Sequence, residues 1–206
     1  MIQEKLDRFL NNEARFDDRH YGLRNISALL GHFGNPHRGV TAFHIAGTNG
    51  KGSVAHMLNS IMIRAGYMTG LYTSPHLLET HERIRLQNVP IDDRQFEDYI
   101  DEINRIVDAD VTIRPTYFDV LTVCAFRYFF DSHADCAVIE TGLGGRLDST
   151  NVIVPRCSII TDISFDHVGI LGNTLSAISR EKAGIIKDGV PVVTSNTDPE
   201  ILEPIL

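Results

Sequence analysis

Ala46-Gly47-Thr48-Asn49-Gly50-Lys51-Gly52-Ser53 follows an apolar, β-rich run from Val40 to Ile45 and precedes a helical pattern. Its glycines let the backbone turn tightly and aim several N–H groups at one point. A helix N-terminus adds the positive end of its dipole, and Lys51 adds a full charge. Strand, turn and helix together read as a seat for a nucleoside triphosphate, made by Gly47, Thr48, Asn49, Gly50, Lys51, Gly52 and Ser53. The spacing departs from Gly-x-x-x-x-Gly-Lys-[Ser/Thr], which calls for Gly at 45 and Ser or Thr at 52, where this chain has Ile45 and Gly52. A glycine-rich turn with a solvated lysine is the alternative.

Outward from this stretch the pattern alternates. Toward the N-terminus, residues 1–33 carry Ile2, Leu6 and Phe9, then Leu23, Ile26, Leu29 and Leu30, at helical spacing, until Gly34-Asn35-Pro36 breaks it. Toward the C-terminus, Val54, Met57, Leu58, Ile61 and Met62 mark one face of a helix ending near Gly66, and Gly70–Thr73 reads as a strand. Asp92-x-x-Gln95 has the form of a capping box for a helix through Phe96, Ile100, Ile103 and Val107, and Thr116 caps another through Phe118, Leu121, Ala125 and Phe129. Ala137–Ile139, Ser158–Thr161 and Val190–Thr194 read as strands, and Thr174–Ala183 as a helix stopped at Gly184. Strands alternating with helices predict an α/β fold, a mostly parallel sheet with helices on both faces. Ligands sit at the carboxyl ends of such strands. The polar clusters fall there: Gly47–Ser53, Thr73–His76, Glu140–Asp148 and Asp162–His167. The last residues, Asp198 to Glu203, form a turn entering a helix, which reads as an incomplete sheet and a truncated sequence.

Bulk properties exclude several classes. With 206 residues the chain can bury a real core, and its 43% hydrophobic and 22% charged content is ordinary for a globular protein. A net charge of −8 argues against a protein whose whole surface binds nucleic acid. No apolar run approaches membrane-spanning length, and the charged N-terminus is unlike a secretory signal. Cys124, Cys136 and Cys157 lack C-x-x-C spacing and read as reduced thiols of a cytoplasmic protein.

The loops together carry more than any one motif. They read Gly47 to Ser53; Thr73-Ser74-Pro75-His76-Leu77 with Glu82-Arg83-Ile84; Glu140-Thr141-Gly142-Leu143-Gly144-Gly145-Arg146-Leu147-Asp148-Ser149-Thr150-Asn151; Asp166-His167 with Leu171-Gly172-Asn173-Thr174; and Arg180-Glu181-Lys182-Ala183-Gly184-Ile185. From about Leu23 onward this order resembles the folylpolyglutamate synthase and dihydrofolate synthase branch of the Mur ligase superfamily of ATP-dependent amide-bond ligases. The Ser74-Pro75-His76 and Gly142–Asn151 segments point to the folate branch.

The resemblance implies that residues 1–206 are an incomplete P-loop-type central ATPase domain, with a C-terminal ligase domain absent from this chain. It implies ATP-dependent addition of L-glutamate to the carboxylate of a folate or dihydropteroate through an acyl phosphate, two Mg²⁺ ions, and a monomer. Lys51 and the backbone of residues 48–53 would hold phosphates, and Lys51, Glu140, His167 and Lys182 would form the catalytic set. Ser53, Ser74, Glu140, His167 and Lys182 would be metal ligands, Lys182 as a carbamate formed with CO₂. His76, Arg83, Arg146 and Asp148 would bind substrate. Plainer readings stand beside these. Ser53 is a first-turn residue, Ser74 a turn residue before Pro75, Glu140 half of an ion pair, and Lys182 a helix-end cation. Imidazole is not a preferred Mg²⁺ ligand. Arg146 and Asp148 pair with each other in the simplest reading. The alternatives in function are another Mur-type ligase, making peptidoglycan or cyanophycin-like products, and a nucleotide-binding fragment without turnover.

Overall fold

The computed structural model describes residues 2–10 and 22–206. The helical expectation for residues 11–21 lies outside the described residues. Helices α1 (Ile2–Asp7) and α2 (Arg24–His32) lead to strand β1 (Ala42–Ala46) and helix α3 (Lys51–Arg64). Then come β2 (Thr69–Tyr72), β3 (Ile84–Leu86), β4 (Val89–Pro90), α4 (Asp93–Ala109), α5 (Tyr117–Asp131) and β5 (Cys136–Glu140). The chain continues through β6 (Cys157–Ile160), α6 (Val168–Leu171), α7 (Leu175–Ala183), β7 (Val192–Thr194) and α8 (Pro199–Leu202).

One seven-stranded sheet has the order β4-β3-β2-β5-β1-β6-β7. The run from β2 to β7 is parallel, and β3 and β4 continue it antiparallel. This hairpin is absent from the sequence reading. Its turn residues Gln87 and Asn88 both have positive φ, 52° and 66°, the geometry that lets two residues join twisted strands. Two strands begin later than their apolar runs, β1 at Ala42 instead of Val40 and β7 at Val192 instead of Val190, while β2, β5 and β6 begin one residue earlier than expected, at Thr69, Cys136 and Cys157.

Helices cover both faces. On one, α1, α2, α4 and α5 share a core with Tyr72, Ala137 and Ile139 of the sheet. On the other, Val54, Ala55 and Leu58 of α3 pack on Ile45, Leu71, Val138 and Ile159. Alternate residues of the same strands feed the two cores, as the period of two in a pleated strand requires. Helix α5 is apolar on nearly every side, with Leu121, Cys124, Phe126 and Phe129 fully buried, so it is the central helix of its layer. Each such side chain contributes about 1.5–3 kcal/mol of transfer free energy. The Thr116 cap forms as a complete box, with Asp119 as its reciprocal partner. At α4 Asp92 caps through the N–H groups of Arg94 and Gln95, but the Gln95 amide turns to the Tyr99 hydroxyl, so the expected box stays open.

Register decides what meets at the strand ends. Ile45 of β1 pairs with Glu140 of β5, and Tyr72 of β2 pairs with Ile139. The residues leaving β1, β2 and β5 are thereby adjacent, although they are far apart in sequence.

Candidate active site

Between β1 and α3 the chain turns at Gly47 and enters the helix through Gly50, whose φ is +82°. Gly47 has φ +153°, and a Cβ there would collide with Thr161 Oγ1, so only glycine lets β1 and β6 approach this closely. No side chain caps α3. The amides of its first turn therefore lack intrahelical partners and face outward at the positive end of a 14-residue helix.

Two lysines converge on one carbonyl. Lys51 Nζ donates to Gly47 O at 3.0 Å and to Thr48 O at 3.1 Å, and Lys182 Nζ donates to the same Gly47 O at 2.7 Å. Neither lysine forms a salt bridge among the described residues. Lys182 is buried, and desolvation followed by repulsion from Lys51 pulls its amine down to about 8, with Asp166 and Asp148 acting in the opposite direction. Two cations crowded on one acceptor leave positive charge for an anion to neutralise.

Glu140 ends β5 within reach of the Lys51 charge and is 3% exposed. Its Oε2 accepts the Ser74 N–H at 3.1 Å, and its oxygens lie 3.7 and 3.8 Å from where a Cβ on Gly52 would stand. Burial raises its pKa, the Ser74 hydrogen bond and the charge of Lys51 lower it, Asp148 raises it and Arg83 lowers it. No ion pair to Glu140 forms among the described residues. A buried carboxylate beside an open helix N-terminus fits a divalent cation held with phosphate oxygens. Ser53 is exposed in the first turn of α3, and Ser74 is half-buried at the end of β2.

The remaining predicted residues distribute as follows. Arg83 Nε donates to His76 Nδ1 at 2.9 Å, and its guanidinium lies 5.7 Å from the Tyr117 ring centroid. Burial and the Arg83 charge lower the His76 pKa, which keeps the ring in the neutral form this bond requires. Arg146 and Asp148 do not pair with each other. Arg146 takes Glu181 Oε1 at 3.1 and 2.9 Å, while buried Asp148 accepts the N–H groups of Gly142, Leu143 and Thr150 and the Thr150 hydroxyl. Those backbone donors lie two to six residues away, within reach of a short side chain, whereas Glu181 comes from α7. His167 is exposed at the start of α6 with φ +45°, its Nε2 3.5 Å from Asp166 Oδ1. The Thr48 N–H, expected to face phosphate, donates instead to Asp162 O at 2.7 Å and is not open to an anion.

One aromatic contributor carries no signal of its own in the sequence. Phe118 stacks on Tyr72 with centroids 5.7 Å apart, and its ring would lie 2.7 Å from a Cβ on Gly142. Its position just inside the Thr116 cap is that of an ordinary helix residue. Only the fold brings it against Tyr72 and the loop after Glu140.

A family model described as the Mur ligase middle domain matches residues 45–203. The chain is 45% identical over 186 residues to the dihydrofolate synthase/folylpolyglutamate synthase of Bacillus subtilis, covering 88% of this chain and 43% of that protein. It is similar to a solved FPGS–AMPPCP–folate complex, with TM-score 0.89 and 36% identity over 99% of this chain and 50% of the other. Escherichia coli FolC in complex with DHPP and ADP gives TM-score 0.88 and 34% identity over 99% of this chain and 48% of that one. The chain thus spans about half the length of the relatives it matches.

Proposed function

The chain belongs to the Mur ligase family through its middle domain, and from that premise we propose that it is the nucleotide-activating part of a ligase joining L-glutamate to the carboxylate of a folate or dihydropteroate. The observation that carries this reading is the meeting of an uncapped helix N-terminus, two lysines on one carbonyl and a buried carboxylate at adjacent strand ends.

A carboxylate is a poor electrophile, and bound ATP with Mg²⁺ would supply the phosphoryl group that activates it as an acyl phosphate. Lys51 and the first-turn amides of α3 hold the phosphates and offset the charge that builds on them. Glu140, with the hydroxyls of Ser53 and Ser74, takes one Mg²⁺, and His167 and Lys182 take the second. A lysine whose pKa lies near 8 has a neutral fraction at physiological pH. That amine adds to CO₂, losing one proton, to give a carbamate whose oxygens suit Mg²⁺. Arg83, oriented by His76, receives the anionic tail of the folate, and Phe118 and Tyr117 provide the flat apolar wall for its ring system. Asp148 and Arg146 hold the loops around it. A cytoplasmic monomer suits this chemistry.

The test is phosphate release from ATP by the complete gene product. Release that needs both glutamate and a folate or dihydropteroate, and that Lys51→Ala abolishes, supports the proposal. Release driven by a muramyl peptide instead transfers it to a peptidoglycan-type ligase. ATP binding without release with any acceptor makes the chain a nucleotide-binding module.

A further inference from the structure

We propose that Thr48 and Asn49 are positioning residues that clasp the phosphate loop to the segment after β6, and that neither side chain ligates the nucleotide. The proposal rests on the nucleotide site described above and adds to it a role for two residues whose place in the loop suggests direct contact.

The clasp has five hydrogen bonds. The Thr48 N–H donates to Asp162 O at 2.7 Å. The Thr48 hydroxyl donates to Ser164 O at 3.0 Å and accepts from the Ser164 N–H at 3.1 Å, so one side chain satisfies both backbone groups of one residue. The Asn49 amide donates to Asp162 Oδ2 at 2.9 Å and to Ser164 Oγ at 3.0 Å. A threonine hydroxyl has one proton and a carboxamide has two. All three are committed, and none remains for an anion unless the clasp opens. The anion is left to the backbone amides beyond Thr48 and to the lysine charges.

The other side of the same segment is also held. Asn196, just past β7, donates to Thr161 O at 2.7 Å and accepts the Ile163 N–H at 3.2 Å. Residues 161–164 are therefore fixed between the phosphate loop and the end of β7. Two residues further on stands Asp166, whose charge acts on Lys182, and next to it His167. The clasp thus sets how far the Asp166–His167 corner stands from the phosphate loop, a distance on which in-line transfer depends.

The test compares Thr48→Val, Thr48→Ser and Asn49→Ala in the full chain. Binding of ATP with Mg²⁺ is measured by calorimetry and amide hydrogen exchange over residues 161–168 by mass spectrometry. Thr48→Val keeps the shape and loses the hydroxyl. The expected result is faster exchange over 161–168, ATP affinity within about twofold of the parent, and kcat lower by about ten- to a hundredfold. Thr48→Ser should restore all three. Asn49 is exposed, so Asn49→Ala is expected to fold and to show the same exchange change more weakly. Unchanged exchange in both Thr48→Val and Asn49→Ala overturns the clasp. A loss of ATP affinity of about tenfold in Thr48→Val with unchanged exchange also overturns it and makes the hydroxyl a nucleotide ligand. Exchange and affinity need no turnover. If the parent protein ligates no folate, the function fails while these two measurements still decide the clasp.

Discussion

The loops that leave β5 and β6 flank β1 from its two sides, yet they are built in opposite ways. The first, residues 141–151, turns its polar groups inward. Asp148 and Thr150 are buried, and the Asp148 carboxylate accepts four hydrogen bonds from its own loop. His44, deep in β1, completes the network through Nε2 and Thr150 Oγ1 at 2.8 Å. Thr150 gives its one proton to Asp148, so His44 must be the donor to Thr150, and burial holds the ring neutral with its pKa near 3. Beyond its pinned first residues, the second loop turns outward. Phe165, Val168 and Ile170 are 61%, 51% and 45% exposed, and the Asp166 carboxylate stands 3.5 Å from His167 Nε2 and acts on Lys182 through its charge. A carboxylate whose lone pairs are all used is scaffold. One that faces solvent is available to a ligand.

The comparison breaks most easily at Asp148. Asp148→Ala leaves three backbone N–H groups without their acceptor inside the fold and should cost roughly 3 kcal/mol in urea unfolding. A change below about 0.5 kcal/mol would mean that the loop is not sealed by this residue.

Lys182 stands between the two loops and reports on both. Its amine is held near 8 against an ordinary 10.5, so between those pH values it is charged in the unfolded chain and neutral in the folded one. The unfolded state then binds the extra proton, and stability rises with pH through that window. Lys182→Met should remove a rise on the order of 3 kcal/mol, read from unfolding curves at intervals across it. Parallel curves for the two proteins would show that the amine is not desolvated.

Thr150→Val tests the relay alone. It removes the donor to Asp148 and the acceptor for His44, at a cost of about 1–2 kcal/mol in thermal or urea unfolding. His167→Ala sharpens the contrast from the open side. Stability should stay within about 0.5 kcal/mol, while phosphate release with folate and glutamate falls by at least about tenfold. A large loss of stability there would make His167 part of the scaffold.

The turn from β1 into α3 was legible because every part of it is local. Gly47, Gly50 and Lys51 lie within one turn, and the cap at Thr116 acts on an amide three residues away. The β3–β4 hairpin escaped because its strands are short and one contains Pro90, and Asn88 alone hinted at the turn. Partner choice across the site was not legible. Arg146 reaches Glu181 instead of Asp148, and Thr48 and Asn49 reach Asp162 and Ser164, because these partners are separated by 35 to 116 residues. No periodicity encodes such a pairing.

From the sequence alone follow the alternation of strand and helix, the parallel sheet and the placing of the polar clusters at strand ends. Those depend on side-chain period and on glycine's conformational freedom, both properties of a few neighbouring residues. Only the tertiary structure decided which of those clusters touch. The registers of β1 with β5 and of β2 with β5 set Glu140 against Ser74 and the open end of α3, and the closeness of β1 to β6 set Lys182 on the carbonyl of Gly47. Strand pairing is a long-range choice made by the whole core at once, so the electrostatics of the site exist only after the sheet has closed around it.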